Sequence, residues 1–581
     1  MYDAEGDYSN NPATIYAVNK KGIKILLATF KGDSYKKWVG PNGFSKINND
    51  QFSVPTIVKN IAYIVIECTQ NNLPTEIEFY GTQILQNTTT ENKVYTAQYY
   101  TLNNYLGTNG FEWDFVQPKI NSKKIDTVKY KAIKNFTAFR HYLDWERLED
   151  KKGKYTFSPC HFGGWDYDMI YQQCKSDSIQ VLACIKNIPT WMLKSYPFEE
   201  QQSDNAPHFF NADAYASTAY KDIAQLAFQF TARYGTNKNI ASQLIKVDTL
   251  PRWKADVTNS IKKGLSLVTY VECGNEMDKW WRGKNGYMDC YQYAALLSAF
   301  YDGHKNTMGK GVGIKNADTN MQVVMGGLAN MDIQYLKGMV EWCKINRGYN
   351  QDGSINICWD IINYHFYANN TITGIAPENS SMYTVALNVI NYLNTYVKPM
   401  PVWITETGYD LHAGSTQKAI TINKKNAAAV QADWLLRTAL VAARAGIAKL
   451  FYYELKDFNG NLPVKYASMG LVDSVFKNRP ALNYLTQVNK AFGYYYFKQT
   501  INNLPNIDEY TDGKSTMYVA WMPTQNDSKA QFNFYLKNCS TVQLFCPTLF
   551  TSDFNIVEQK GVNNNFILNI TETPVFIVPN K

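Results

Sequence analysis

No stretch of the 581 residues approaches the roughly 18 consecutive apolar residues that a membrane span needs. Nor is there a dense basic tract: the formal charge of +8 comes from 58 basic and 50 acidic residues scattered along the whole chain, which makes nucleic acid a poor partner. The ten cysteines form no CxxC pair and no Cys/His cluster, and several sit inside apolar patterns, so they read as reduced core residues rather than disulfides or a zinc site. No GxGxxG follows a first strand and no Walker sequence occurs, which argues against dinucleotides and nucleoside triphosphates. Residues 1–7 (MYDAEGD) carry neither the basic flank nor the apolar stretch of a signal peptide. The expectation is an extracellular or periplasmic protein whose export signal has been removed, or a virion-associated one.

What is present is ordinary globular composition, 45% hydrophobic and 19% charged, in a chain too long for one core. Over 15–86, short apolar runs at 23–30, 61–67 and 76–80 alternate with Gly, Asn and Pro turns, the grammar of a small β-sandwich, and the polar stretch 87–92 (NTTTEN) reads as a linker. Beyond about residue 100 apolar strands alternate with helical spacing, at 136–139, 179–185, 267–271, 323–327, 357–362, 402–404 and 448–453, with 110–115 (GFEWDF) a candidate first strand. Eight such units favour a (β/α)8 TIM barrel over an open doubly wound sheet. Lys123, Lys124, Lys129, Lys131 and Lys134, interleaved with apolar residues, read as a solvated helix face. Short β runs return from 493 onward. The expected fold class is therefore α/β, with an N-terminal β-rich accessory domain over 1–100, the barrel over 101–492 and a C-terminal β-sandwich over 493–581.

Two segments carry the chemistry: 270–276 (YVECGNE) and 402–410 (VWITETGYD). Each is a largely apolar run that delivers a glutamate, Glu276 and Glu406, and an unpaired buried carboxylate is costly unless it shifts its pKa. Two such strands suggest a two-carboxylate site, the equipment that splits glycosidic bonds. Aromatic residues make up 14% of the chain, including 42 Tyr and 13 Trp; most pack in cores, but flat faces with polar rims also suit sugar rings.

By strand count Glu276 follows the fourth strand and Glu406 the seventh. Asn275–Glu276 at the fourth strand with a lone Glu at the seventh resembles the retaining glycoside hydrolases of clan A. The segment FRHY (139–142) with WERLE (145–149) and GKY (153–155) is similar to the clan's second-strand region, and NYHFY (363–367) to its sixth-strand His-x-Tyr. The pairing of the barrel with a β-sandwich looks most like family 39, and the resemblance spans roughly 105–490. It implies Glu276 as acid/base, Glu406 as nucleophile, Asn275 as a ligand of the substrate 2-hydroxyl, Arg140 as a brace of the nucleophile, and His365 and Tyr367 hydrogen-bonding around it. It also implies a carbohydrate substrate and neither metal nor cofactor. Tyr453 ends the eighth strand where many relatives carry Trp; Trp191 and Trp281 lie just beyond strand ends as stacking candidates. Glu272, on the same strand face as Glu276, reads as a structural partner inside the barrel. Arg140 would lower the pKa of Glu406, and the charge of Glu406 about 5–5.5 Å away would raise that of Glu276. A transglycosylase shares every one of these residues, and a glycan-binding or virion structural protein with an inactive barrel is the rival from another class. The sugar, the linkage, internal or terminal action and the oligomeric state stay open.

Overall fold

The computed structural model describes residues 13–19, 22–30, 61–67, 99–117, 121–159, 165–250 and 259–580. Ala13–Asn19 pairs antiparallel with Lys24–Phe30 on one side and Ile61–Glu67 on the other, with Ile15, Ala17 and Val18 buried. This sheet belongs to a compact unit made of Met1–Tyr95, Asp204–Ala206 and Met277–Asp289, and the rest of the chain forms a second unit. The expected strand at 76–80, the linker at 87–92, Cys68 and Cys160 lie outside the described residues. The other eight cysteines are free thiols.

The second unit is built on eight parallel strands: Gly107–Gly110, Ala138–Asp144, Gln180–Lys186, Tyr270–Cys273, Gln322–Met325, Ile362–His365, Val402–Thr407 and Lys449–Tyr452. In space each of the first five lies beside its neighbour in the sequence, and the first also pairs with the eighth, followed by the seventh and sixth. Parallel bridges Val324 to Ile361 and Leu328 to Tyr364 join the fifth strand region to the sixth and close the barrel. Helices follow the strands, among them Tyr167–Ser176, Lys221–Tyr234, Cys290–Asn306, Ile333–Asn346, Met382–Tyr392, Ala427–Ala445 and Pro480–Phe492. None of the described helices is long and apolar enough to cross a membrane.

Three local expectations need correction. The first strand is Gly107–Gly110, ahead of the expected segment; residues 112–114 instead turn through a 3-10 helix, with the Asp114 carboxylate accepting from the Phe111 N–H at 2.9 Å. The sequence GTNG shows no apolar run because Gly107 leaves room for the Phe451 ring, where a Cβ would collide. The sixth strand begins at Ile362, where the 357–362 run ends. Of the lysine-rich stretch, Asn121–Ile125 is a strand paired with Val116–Gln117, and helix starts only at Thr127, where Asp126 accepts from the Val128 and Lys129 N–H groups.

Inward-facing residues stack in layers. Toward the N-terminal end of the strands, Ala138, Leu182, Val324, Ile361, Trp403, Ala448 and Phe451 form an apolar plug, with Tyr270 set edge-on against Trp403 at 4.9 Å. One pleat further along the same strands the layer turns polar: Asn109, Arg140, Glu272, Asn363 and Thr405, all buried. Alternation alone would face Thr405 inward and Glu406 outward. A bulge intervenes: Tyr364 pairs with Ile404 but His365 with Glu406, skipping Thr405, so both side chains turn to the barrel axis.

The C-terminal strands form a six-stranded antiparallel sheet and a two-stranded one, Ala530–Tyr535 with Asn565–Ile570. They enclose Ile507, Ala520, Phe534, Val542, Phe566 and Leu568 as a β-sandwich. It is fastened to the barrel helices by buried polar contacts: Arg444 donates to Asp508 at 2.7 and 3.0 Å, and Gln487 Nε2 to the Thr548 and Thr551 carbonyls at 2.8 and 2.7 Å.

Candidate active site

Arg140, with no exposed surface, is the hub of the polar layer. Its Nε and Nη2 donate to Glu272 at 2.6 and 3.0 Å, its Nη1 to Asn109 at 2.8 Å and to Glu406 Oε1 at 2.7 Å, and Nη2 also to Asn275 Oδ1 at 2.7 Å. A buried guanidinium needs this much compensation, and burial is outweighed chiefly by the Glu272 charge, so Arg140 stays protonated. One guanidinium thus joins Glu272, Asn109, Glu406 and Asn275. Glu272 is fully occupied too, accepting from Arg140, from Asn363 Nδ2 at 2.9 Å and from the Gly327 N–H at 3.0 Å.

Glu406, at the end of the seventh strand, is gripped from four sides. Besides Arg140, it accepts a short hydrogen bond from the Tyr142 hydroxyl and one of 3.0 Å from the Tyr367 hydroxyl, and His365 Nδ1 lies 3.5 Å away. Burial pushes its pKa up, but the charges of His365 and Arg140 and the bonds from Tyr142 and Arg140 outweigh that and hold the carboxyl below its usual range. Glu406 is poised to stay ionised.

Glu276 follows the fourth strand through Gly274 and takes a left-handed backbone at φ +50°, its N–H donating to the Gly327 carbonyl at 2.8 Å. Its side chain is 25% exposed against 7% for Glu406. The one hydrogen bond described for its carboxylate is with His365 Nδ1, at 2.9 Å. Burial lowers the pKa of His365, but the Glu406 charge and the bond to Glu276 more than reverse that. His365 Nε2 faces Gly327, where any Cβ would overlap the ring, so the glycine makes the space for this imidazole. Glu276, His365 and Glu406 each place one ligand atom within 4.8 Å of the others, the one group of His, Cys, Asp and Glu among the described residues with the spacing to hold a cation.

No protein-family model matches the chain, and no curated protein matches it either. Among solved structures, a family 39 glycoside hydrolase from the gut symbiont Bacteroides cellulosilyticus WH2 is similar, with a TM-score of 0.53 and 15% identity over 98% of this chain and 95% of that one. A conserved exported protein from Bacteroides fragilis is similar with a TM-score of 0.50 and 11% identity over 83% and 98%. The chain has the fold of a clan A glycoside hydrolase.

In a barrel of this fold the C-terminal ends of the strands form the functional face. There the structure brings together Glu276, Glu406, Asn275, Arg140, His365 and Tyr367. Tyr453 stands at the same face, its N–H donating to the Thr407 carbonyl at 2.8 Å, with both Glu406 and Glu276 among the charges acting on its hydroxyl. Trp191 is engaged elsewhere: its Nε1 donates to the Glu149 carbonyl at 2.9 Å and its ring packs edge-on against Trp145 at 5.5 Å. Trp281 belongs to the segment Met277–Asp289 of the other compact unit. Sequence reasoning gave no role to Tyr142, Asn109 or Asn363. Tyr142 stood two residues beyond Arg140 on the same strand face, a signal that strand alternation could have used.

Proposed function

We propose that the chain is a retaining glycoside hydrolase of carbohydrate substrates, with Glu406 as nucleophile and Glu276 as acid/base. The observation that carries this is the asymmetry of two neighbouring carboxylates. One is buried and accepts from three donors, with His365 Nδ1 3.5 Å away; the other is half-open with a single described hydrogen-bond partner, and an oxygen of each lies within 4.8 Å of the other. That spacing favours double displacement over inversion, which needs about 6.5–9.5 Å between the carboxyl groups to seat a water.

In the first step Glu406 attacks the anomeric carbon while the Glu276–His365 pair delivers a proton to the leaving oxygen. Ester formation removes the Glu406 charge that helps hold the His365 pKa above its ordinary value. The pair can then take a proton from the incoming water, and Glu406 is released. Arg140 acts as a positioning residue, holding Glu406 and Asn275 in one fork, so that Asn275 is oriented toward the 2-hydroxyl. His365 and Tyr367 orient the two carboxylates, and Tyr453 lines the sugar position. The division into 1–100, 101–492 and 493–581 accompanies this reading, with the barrel as the catalytic part.

The test is reducing-end release from a panel of poly- and oligosaccharides by the parent and by Glu406→Ala. Release by the parent and loss in the variant are the expected results, with 4-nitrophenol release from an aryl glycoside recovered by the variant when azide serves as external nucleophile. Equal release by both removes Glu406 from the mechanism.

A further inference from the structure

Tyr466 is 41% exposed, yet its ring and its backbone both have fixed partners. It lies in the loop after the eighth strand, edge-on to Tyr367 at 5.0 Å and to Tyr453 at 6.2 Å. Tyr367 donates to Glu406, so Tyr466 stands one ring away from that carboxylate. The charges of Glu276 and Glu406, after burial itself, are the main influences holding its hydroxyl above the usual phenol range, which places it beside both.

Its backbone is left-handed, φ +68°, where a bulky side chain is uncommon, and the surroundings fix it there. The Tyr466 N–H donates at 3.1 Å to Asp410, a fully buried carboxylate that also accepts from the Ser468 N–H and hydroxyl, both at 2.9 Å, and from the Ser415 hydroxyl at 2.7 Å. Asp410 lies three residues beyond the end of the strand that carries Glu406. The loop carrying Tyr466 is thus stapled to the loop that leaves the nucleophile position. A half-exposed aromatic ring on a strained backbone adds little to folding, whereas a flat apolar face beside two carboxylates is what a sugar ring stacks on.

We propose that Tyr466 is a substrate-contacting residue, its ring stacking on the C–H face of the sugar at the Glu276–Glu406 site, with Asp410 as the positioning residue that presents it. This rests on the glycosidase reading above. The platform comes from a loop tyrosine because Tyr453, at the end of the eighth strand, is itself packed edge-on against it.

The experiment compares the parent with Tyr466→Phe and Tyr466→Ala on a panel of 4-nitrophenyl glycopyranosides, with melting temperatures measured alongside. Tyr466→Ala is expected to lower kcat/KM about 10- to 100-fold, mostly through KM, with Tm nearly unchanged, while Tyr466→Phe stays within about threefold of the parent. Equal kinetics for the alanine variant and the parent overturn the inference and leave the glycosidase reading standing. Equal losses in Phe and Ala overturn it in favour of a role for the hydroxyl. A parent that hydrolyses neither these glycosides nor the poly- and oligosaccharide panel removes the glycosidase reading, and fluorescence titration with cello-, xylo- and mannohexaose then decides. Binding that Tyr466→Ala abolishes sustains the stacking contact; binding that it leaves intact, or no binding, overturns it.

Discussion

Ala138 and Arg140, Tyr270 and Glu272, Ile361 and Asn363, Trp403 and Thr405 are pairs two residues apart on the same strands, pointing the same way into the barrel. The first member of each joins a plug closed by Trp403 and Phe451; the second joins a hydrogen-bonded network of charges. Apart from the partly buried Tyr270, both layers are buried, so exposure does not distinguish them. The plug lowers the free energy of the folded state by removing apolar surface from water. The network costs desolvation that its internal pairing roughly offsets, and an apolar layer of the same volume would serve stability as well or better. The difference teaches where the barrel has been built for something other than persistence.

The sharpest way to break this comparison is one substitution in each layer. Glu406→Gln is expected to lower turnover by about 10⁴-fold or more while lowering Tm only modestly, since the surroundings favour the ionised carboxylate but Arg140 keeps Glu272 as its partner. Trp403→Ala should do the reverse, costing about 3–5 kcal/mol of stability through the cavity it leaves, with kcat falling far less than Glu406→Gln lowers it. Denaturant unfolding and steady-state kinetics on both variants check this. A Trp403→Ala enzyme of normal stability and no activity would show that the plug, not the network, carries the function.

Arg140 tests whether the network is one object. Arg140→Leu strands Glu272 and leaves Glu406 with its tyrosines and His365, so both stability, by about 3–5 kcal/mol, and turnover should fall together. Tyr142→Phe is the milder version. It removes one of the bonds that keep the Glu406 pKa low, so the acid limb of the kcat/KM profile should move to higher pH. The sign follows from linkage: a depressed carboxyl is ionised down to its lowered pKa, and activity is lost as pH falls through it. An unmoved acid limb in Tyr142→Phe would separate Tyr142 from the ionisation of Glu406.

How much of this was legible in the sequence follows from the same contrast. Six of the strands announce themselves because their outward faces are apolar as well, giving runs such as 179–185 and 448–453, while the sixth starts only where its expected run ends. The first strand, Gly107–Gly110, is silent because its inward positions are Gly107 and Asn109, one making room for Phe451 and the other hydrogen-bonded to Arg140. The carboxylates were found by their position at strand ends. Their setting was not: the bulge that turns Glu406 inward depends on pairing with His365, a contact no local pattern contains. Trp191 looked like a stacking residue because strand ends invite one, but the nearby Trp145 and the Glu149 carbonyl claim its ring and its N–H. Tyr466 was invisible because a tyrosine in an aperiodic loop carries no signal until Asp410 is seen to hold it.

Glu454 is the case that tests where the network ends, and its expected effect is the smallest. It follows Tyr453 at the functional end of the barrel, accepts the Phe458 N–H at 2.9 Å, and has negative neighbours in Asp114, Asp457 and Glu406. Burial first, and then those charges, push its pKa up to about 9, so it is a neutral acid at pH 7. Unlike Glu406 it has no cation among its described hydrogen-bond partners, and by its protonation it belongs with the plug. Because its folded-state pKa lies above the unfolded value, its contribution is intact below the ordinary glutamate range and is lost as pH rises toward about 9. Glu454→Gln, of the same shape and without the proton, should therefore match the parent in stability near pH 4. It should then gain on it as pH rises, by an amount on the order of 2–3 kcal/mol at pH 7, with kcat changed little. Equal stability of the two proteins across pH 4–9 would mean that Glu454 is ionised and compensated, and would extend the charged network one residue beyond the eighth strand.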